Sequence, residues 1–183
     1  MLIRSSQEDV KRVLYTREQI AARVKELGAE LTEKFKDKKP LMLCVLRGAA
    51  FFFTDLCREM DCLMEMDFIS CSSYFKGTKS TGTVRLLKDT VFNMEGRHIV
   101  LVEDIIDSGL TLLYLEKLFA TRSPASITTV AFLDKDIGQP DRNKVDYYGF
   151  KIPNEFVIGY GLDYADFYRN LPYIGVLKEE CYQ

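Results

Sequence analysis

Apolar residues recur at spacings of three and four from Ile20 through Val24, Leu27 and Leu31 to Phe35. This period predicts an amphipathic helix with one buried stripe. Just before it, "TREQ" has the form of a capping box, with Thr16 first and Gln19 three residues later. After Pro40 the pattern changes. "LMLCVL" (41–46) is apolar throughout and predicts a strand buried on both faces. "RGA" breaks it, and "AFFFTDLCREM" (50–60) predicts a helix. "LMEMDFISCSSY" (63–74) predicts a second strand. "FKGTKSTGT" (75–83) has the glycines, hydroxyls and lysines of a mobile loop, and "VRLLKDT" (84–90) predicts a short strand after it.

"HIVLVED" (98–104) predicts the next strand, "LLYLEKLFA" (112–120) a helix and "SITTVAFLD" (126–134) another strand. A turn-rich connection, "GQPDRNKV" (138–145), leads to three further apolar segments: "VDYYGFKI", "FVIGYGLDY" and "YIGVL". Apolar strands alternating with helices predict an α/β fold with a mostly parallel sheet covered on both faces. Ligands of such sheets bind at the carboxyl ends of the strands. That rule gathers Arg47 and Gly48, residues 103–111, and Asp134 with Lys135 on one edge, each directly after a strand.

Composition narrows the picture. A chain of 183 residues suits one domain, here read as 1–183. Net charge is −2, so the totals exclude a basic nucleic-acid binder. The one dense basic cluster, "KFKDKK" (34–39), reads as a solvated helix end. Five cysteines, odd in number and without a CxxC pair, argue against a disulfide framework and a zinc site. Cys44 and Cys71 sit in apolar runs as small core residues, and the single histidine, His98, abuts a strand start and reads as structural. The first residues are too charged for a signal peptide, and no apolar run reaches transmembrane length. A cytoplasmic protein with no membrane partner is expected.

The candidate chemistry concentrates in "IVLVEDIIDSGLT" (99–111). Gly109 permits a tight turn, and backbone amides at the following helix start, with the Ser108 and Thr111 hydroxyls, make a phosphate cradle. It is neither a Walker loop nor a Rossmann fingerprint, which need other glycine spacings. An ordinary hydroxyl-capped connection would account for the turn. It would not account for Glu103, Asp104 and Asp107, three acids in five positions against an apolar run. Unpaired carboxylates are costly to bury, so they are expected to line the mouth of a site. A phosphate flanked by carboxylates suits a substrate with hydroxyls, or Mg²⁺ shared with phosphate oxygens.

"VLVEDIIDSGLT" closely resembles the phosphoribosyl-diphosphate motif of the type I phosphoribosyltransferases, and the chain is most similar to their hypoxanthine-guanine branch. "VLRGA", "SSY", "FLDK", "IPNEFVIGYGLDY" and "YRNLPYIGVL" follow in the family's order, from about residue 41 to 177. The resemblance implies a small hood formed by the N- and C-terminal segments. It also implies transfer of phosphoribose from phosphoribosyl diphosphate to hypoxanthine or guanine, with xanthine a further candidate, giving the nucleoside monophosphate and pyrophosphate.

By the same resemblance, Glu103 and Asp104 hold the ribose hydroxyls and Mg²⁺, and Asp107 is the general acid/base. Ser108, Gly109, Leu110 and Thr111 bind the 5′-phosphate. Arg47, where many members carry Lys, meets the pyrophosphate with Gly48 and Arg169. Ser73 and Tyr74 belong to a lid loop. Lys135 donates to the purine 6-oxygen, Phe156 stacks on the base and Val157 contacts its edge. Asp163 completes the base site and binds a second metal ion. A homodimer or homotetramer is implied. Taken alone, Lys135 reads as a surface lysine, Phe156 and Val157 as core, and Arg169 as a surface ion pair with Asp166. A rival reading is a regulator that keeps the fold as a nucleotide sensor.

Overall fold

The chain enters through β1 (Val10–Tyr15) and continues in α1 (Arg17–Phe35), β2 (Leu41–Leu46), α2 (Ala50–Glu59), β3 (Glu65–Lys76) and β4 (Lys79–Lys88). It completes in β5 (His98–Ile106), α3 (Leu110–Ala120), β6 (Ser126–Lys135), β7 (Tyr147–Ile152), β8 (Val157–Ile158) and β9 (Ile174–Leu177). This computed structural model describes residues 6–76, 79–138 and 145–182; the side chains of 73–83 also fall outside the description.

Among the described residues, six strands form the central sheet in the order β4-β3-β2-β5-β6-β7. All neighbours are parallel except β3 with β4. The expected mostly parallel sheet is therefore present. It is covered on both faces, as the apolar runs require. Met42 and Cys44 of β2 point into a cluster with α1 and α2, whereas Leu41, Leu43 and Val45 point into one with α3. The α1 stripe of Ile20, Val24, Leu27, Leu31 and Phe35 is buried as its spacing predicts, and the Thr16–Gln19 capping box forms. Among the described residues no helix is long and apolar enough to cross a membrane.

Two expectations change. Residues 75–83 are not simply a loop: β3 reaches Lys76 and β4 starts at Lys79, with Phe75 paired to Ser80 and Lys76 to Lys79. Antiparallel pairing overrides the local glycine and hydroxyl signals; residues 77 and 78 lie outside the described residues. The second change is β1, which the hydrophobic pattern does not announce. Two of its six residues, Lys11 and Arg12, are charged, and it exists through pairing with β9. With β8 these strands form a separate three-stranded sheet, so segments from both ends of the chain lie together.

Phe132 of β6 links the core to the loop beyond β8. It is 1% exposed, and its ring centroid lies 4.9 Å from Phe52, 5.6 Å from Phe150 and 5.0 Å from Tyr160. Phe132→Ala should cost about 3–5 kcal/mol. Urea unfolding should show a lower midpoint with an unchanged slope; a midpoint within error of wild type would contradict this packing role.

Candidate active site

Parallel register brings the predicted residues to one edge. Cys44 pairs with Val102, so the β2 end and Arg47 arrive beside Asp104; Ile106 pairs with Asp134, so Asp107 and Lys135 follow at the same level. Lys135 in turn pairs with Ile152, four residues before Phe156.

The turn between β5 and α3 is built by Asp107. Its Oδ1 accepts from the Ser108 backbone N–H and, at 3.1 Å, from the Ser108 hydroxyl. Gly109 takes a left-handed conformation with φ 71°, which a side chain would resist, and α3 starts at Leu110. The first amides of α3 have no helical acceptor. They face a cleft of about 20 Å³ lined by Glu103, Asp107, Gly109, Leu110 and Thr111 among others.

The acids correct the expectation of a fully open mouth. Only Asp107 is exposed. β5 runs on to Ile106, so Glu103 and Asp104 belong to the strand and are half-buried. Glu103 Oε2 is buried with no hydrogen-bond partner among the described residues. Burial pushes the Glu103 carboxyl well above its usual range, and the Asp104 and Asp107 charges add to the effect. Asp104 is pushed up to about 6, chiefly by burial and against the pull of its backbone N–H bonds and Arg169.

Two glycines let the backbone close around these acids. A Cβ at Gly48 would lie 1.5 Å from Asp104 Oδ2, and one at Gly161 would lie 1.9 Å from the Gly48 carbonyl oxygen. Residues 48, 104 and 161 are thus stacked without room for a methyl group. The Leu46–Arg47 peptide preceding Gly48 is cis.

The arginines converge on the same loop. Arg169 Nη1 donates to the Gly161 carbonyl at 2.7 Å, and its Nη2 lies 2.7 Å from Asp163 Oδ1 and 3.3 Å from Asp166 Oδ1. The pair with Asp166 therefore forms, but as one of three contacts. Arg47 Nη2 reaches the same Asp166 oxygen at 2.5 Å. Asp166 as a bridge between Arg47 and Arg169 was missed by sequence reasoning, as was the Gly161 turn. The only signal was the pair of glycines flanking Tyr160.

The remaining candidates divide. Lys135 is half-buried at the β6 end, and its side chain makes no hydrogen bond or ion pair among the described residues. Val157 is 7% exposed in β8, as a core residue would be, whereas Phe156 is 37% exposed. Ser73 and Tyr74 lie in β3, and their side chains fall outside the described residues. His98 Nδ1 is 2.7 Å from Ser126 Oγ, at the opposite end of β5 from the acids. The five cysteines are free thiols, and burial pushes Cys44, Cys57 and Cys71 up to about 12, which removes them as nucleophiles near neutral pH.

The family model for the phosphoribosyl transferase domain matches residues 13–165. A hypoxanthine-guanine-xanthine phosphoribosyltransferase from Tritrichomonas foetus is 51% identical over 176 residues, covering 96% of both chains. A hypoxanthine-guanine phosphoribosyltransferase from Bacillus subtilis is 51% identical over 175 residues, covering 96% of this chain and 97% of its own. The crystal structure of a hypoxanthine phosphoribosyltransferase from Staphylococcus aureus superposes with a TM-score of 0.93 at 41% identity, covering all of both chains.

Because folding raises the Asp104 carboxyl, its protonated form favours the fold. That contribution is complete below the ordinary carboxylate range and is lost as pH rises through about 6. Asn cannot ionise. Ligand-free Asp104→Asn should therefore melt above wild type at pH 8, by an amount corresponding to roughly 2–3 kcal/mol, with the gap shrinking toward pH 4. Melting curves across that range test this; a gap independent of pH would show that ionisation is not the source of the cost.

Proposed function

The chain belongs to the phosphoribosyltransferase family, and from that premise we propose that it transfers phosphoribose from phosphoribosyl diphosphate to hypoxanthine or guanine. The products are the nucleoside monophosphate and pyrophosphate. The observation that carries this reading is Glu103 Oε2, a buried acceptor without a partner among the described residues, beside a helix start that lines the same small cleft. A ribose 5-phosphate supplies both complements: hydroxyls for the acids and an anion for the amides.

In this reading Ser108, Gly109, Leu110 and Thr111 hold the 5′-phosphate, and Glu103 and Asp104 accept from the ribose hydroxyls. A purine nitrogen attacks the anomeric carbon as the carbon–oxygen bond to pyrophosphate breaks, and the leaving oxygen takes the electron pair. Negative charge on pyrophosphate is met by Arg47 and Arg169 near the Gly48 backbone. Both guanidiniums are held by Asp166, which pre-orients them. Positive charge on the ribose ring is met by the two carboxylates. Asp107 takes the proton released by the purine. Its Oδ1 is committed to the Ser108 turn, which aims the carboxyl, while Oδ2 makes no hydrogen bond among the described residues.

Lys135 donates to the purine 6-oxygen, Phe156 stacks on the base, and Val157 and Asp163 complete its edge. Water must be kept from the same carbon, a task assigned to the β3–β4 hairpin that contains Ser73 and Tyr74.

Mg²⁺ fits this site as a shared ion. Among the described residues no group of three or more His, Cys, Asp or Glu could hold a metal alone. Magnesium is commonly held by one or two carboxylates together with substrate phosphates, and Glu103, whose Oε2 has no partner among the described residues, with Asp104 and the Arg169-paired Asp163 suits such a role. When bound, it would neutralise charge on the diphosphate. The regulator reading has no observation in its favour: the relatives described above are named as transferases, and Asp107, Lys135 and Asp163 are all retained.

Mixing the protein with phosphoribosyl diphosphate, Mg²⁺ and each base should release pyrophosphate with hypoxanthine and guanine but not adenine, and a chelator should stop it. No release with any 6-oxopurine would overturn the assignment. Xanthine, run in parallel, sets the breadth of base use. Asp107→Asn keeps the shape of the turn but removes the proton acceptor. Its kcat should fall roughly a hundred- to ten-thousandfold, with phosphoribosyl-diphosphate affinity by calorimetry nearly unchanged. Near-normal kcat in both directions would reduce Asp107 to a cap of the phosphate turn.

A further inference from the structure

Phe156 does not stand alone. The Tyr182 ring stacks on it with centroids 5.1 Å apart and planes 23° from parallel. Tyr164 meets Phe156 edge-on at 5.5 Å and Tyr182 at 6.4 Å. Phe156 nevertheless keeps 37% of its surface exposed, so the stack is open on one side.

The approach of Tyr182 is tightly held. Leu177 N–H donates to the Phe156 carbonyl at 2.9 Å, and Lys178 N–H to the Asp9 carbonyl at 3.0 Å. A short 3-10 turn, Glu179–Cys181, follows. Cys181 Sγ donates to Asp9 Oδ1 at 3.6 Å, and the Tyr168 hydroxyl donates to Asp9 Oδ2 at 2.7 Å. Asp9 is only 6% exposed. One buried carboxylate therefore clasps the turn that delivers Tyr182 to the loop that carries Asp163 and Arg169.

We infer that Tyr182 is a positioning residue for the base: it covers the inner face of Phe156, fixes the plane of that ring, and leaves the outer face for the purine. This rests on Phe156 as the base-stacking ring. An exposed Phe free to rotate would have to be ordered when the base binds, and a ring already held in plane avoids that cost. The effect belongs to base binding and not to phosphoribose.

Steady-state kinetics with hypoxanthine on wild type, Tyr182→Ala, Tyr182→Phe and Phe156→Ala test it, beside melting curves. Tyr182→Ala should raise KM for the base about two- to tenfold, the loss of one aromatic pair, and leave KM for phosphoribosyl diphosphate within about twofold. Tyr182→Phe should restore the base KM, because the ring and not the hydroxyl makes the stack. Tyr182→Leu, which keeps bulk without the ring, replaces the Ala variant if that one does not fold. An unchanged base KM in Tyr182→Ala would overturn the inference. So would a lowered one, which would mean that Tyr182 occupies the base's own place. A rise in both KM values with a lower Tm would show a merely structural role and overturn it as well. If Phe156→Ala raises the base KM and Tyr182→Ala does not, only the positioning role falls. If Phe156→Ala leaves the base KM unchanged, the stacking role of Phe156 falls and takes the inference with it.

Discussion

No side chain fits between Gly161, Gly48 and Asp104, and the rest of the site depends on that contact. It presses three separate pieces of backbone together: the loop after β2, the end of β5 and the turn after β8. Once Gly161 is seated, its carbonyl lies within reach of Arg169, whose other nitrogen then reaches Asp163 and Asp166. Behind the turn, Tyr160 packs on Phe132 and donates to Asp55 of α2 at 2.7 Å, so the core fixes the turn from the far side.

That close packing has an electrostatic cost. Glu103 and Asp104 are adjacent, half-buried and short of donors, and their carboxyls are correspondingly reluctant to ionise. An unsatisfied buried oxygen costs about 1–3 kcal/mol. Folding alone gives no return on such an arrangement. A ligand bearing hydroxyls or a cation does, because it supplies the missing partners in the same place. Violations of the folding rules collect where function requires them, and here they fall on two consecutive residues at the end of the central strand.

Charge is balanced by geometry more than by number. Arg47 and Arg169 come from distant parts of the chain and share one oxygen of Asp166, which keeps two cations side by side. The small sheet of β1, β8 and β9 performs a comparable task around Phe156. It places segments near both ends of the chain in one sheet with β8, next to Phe156, and the buried Asp9 carboxylate joins them to Tyr168 and Cys181.

Local order was legible in the sequence. The α1 stripe, its capping box, the apolar β2 and β5 runs and the "DSGLT" turn each follow from a period or a local residue preference. The edge to which Arg47, Asp107 and Lys135 belong followed from parallel topology. What the sequence could not disclose depends on partners far along the chain. β1 is a strand because β9 pairs with it, and residues 75–83 are mostly strand because β3 and β4 pair. Glu103 and Asp104 looked like mouth residues because they stand at the carboxyl end of an apolar strand, where unpaired charge is expected to meet solvent. Tertiary structure continued the strand two residues past them to Ile106 and packed Gly48 against one, since burial is decided by what lies across a sheet and not by the neighbours in the chain.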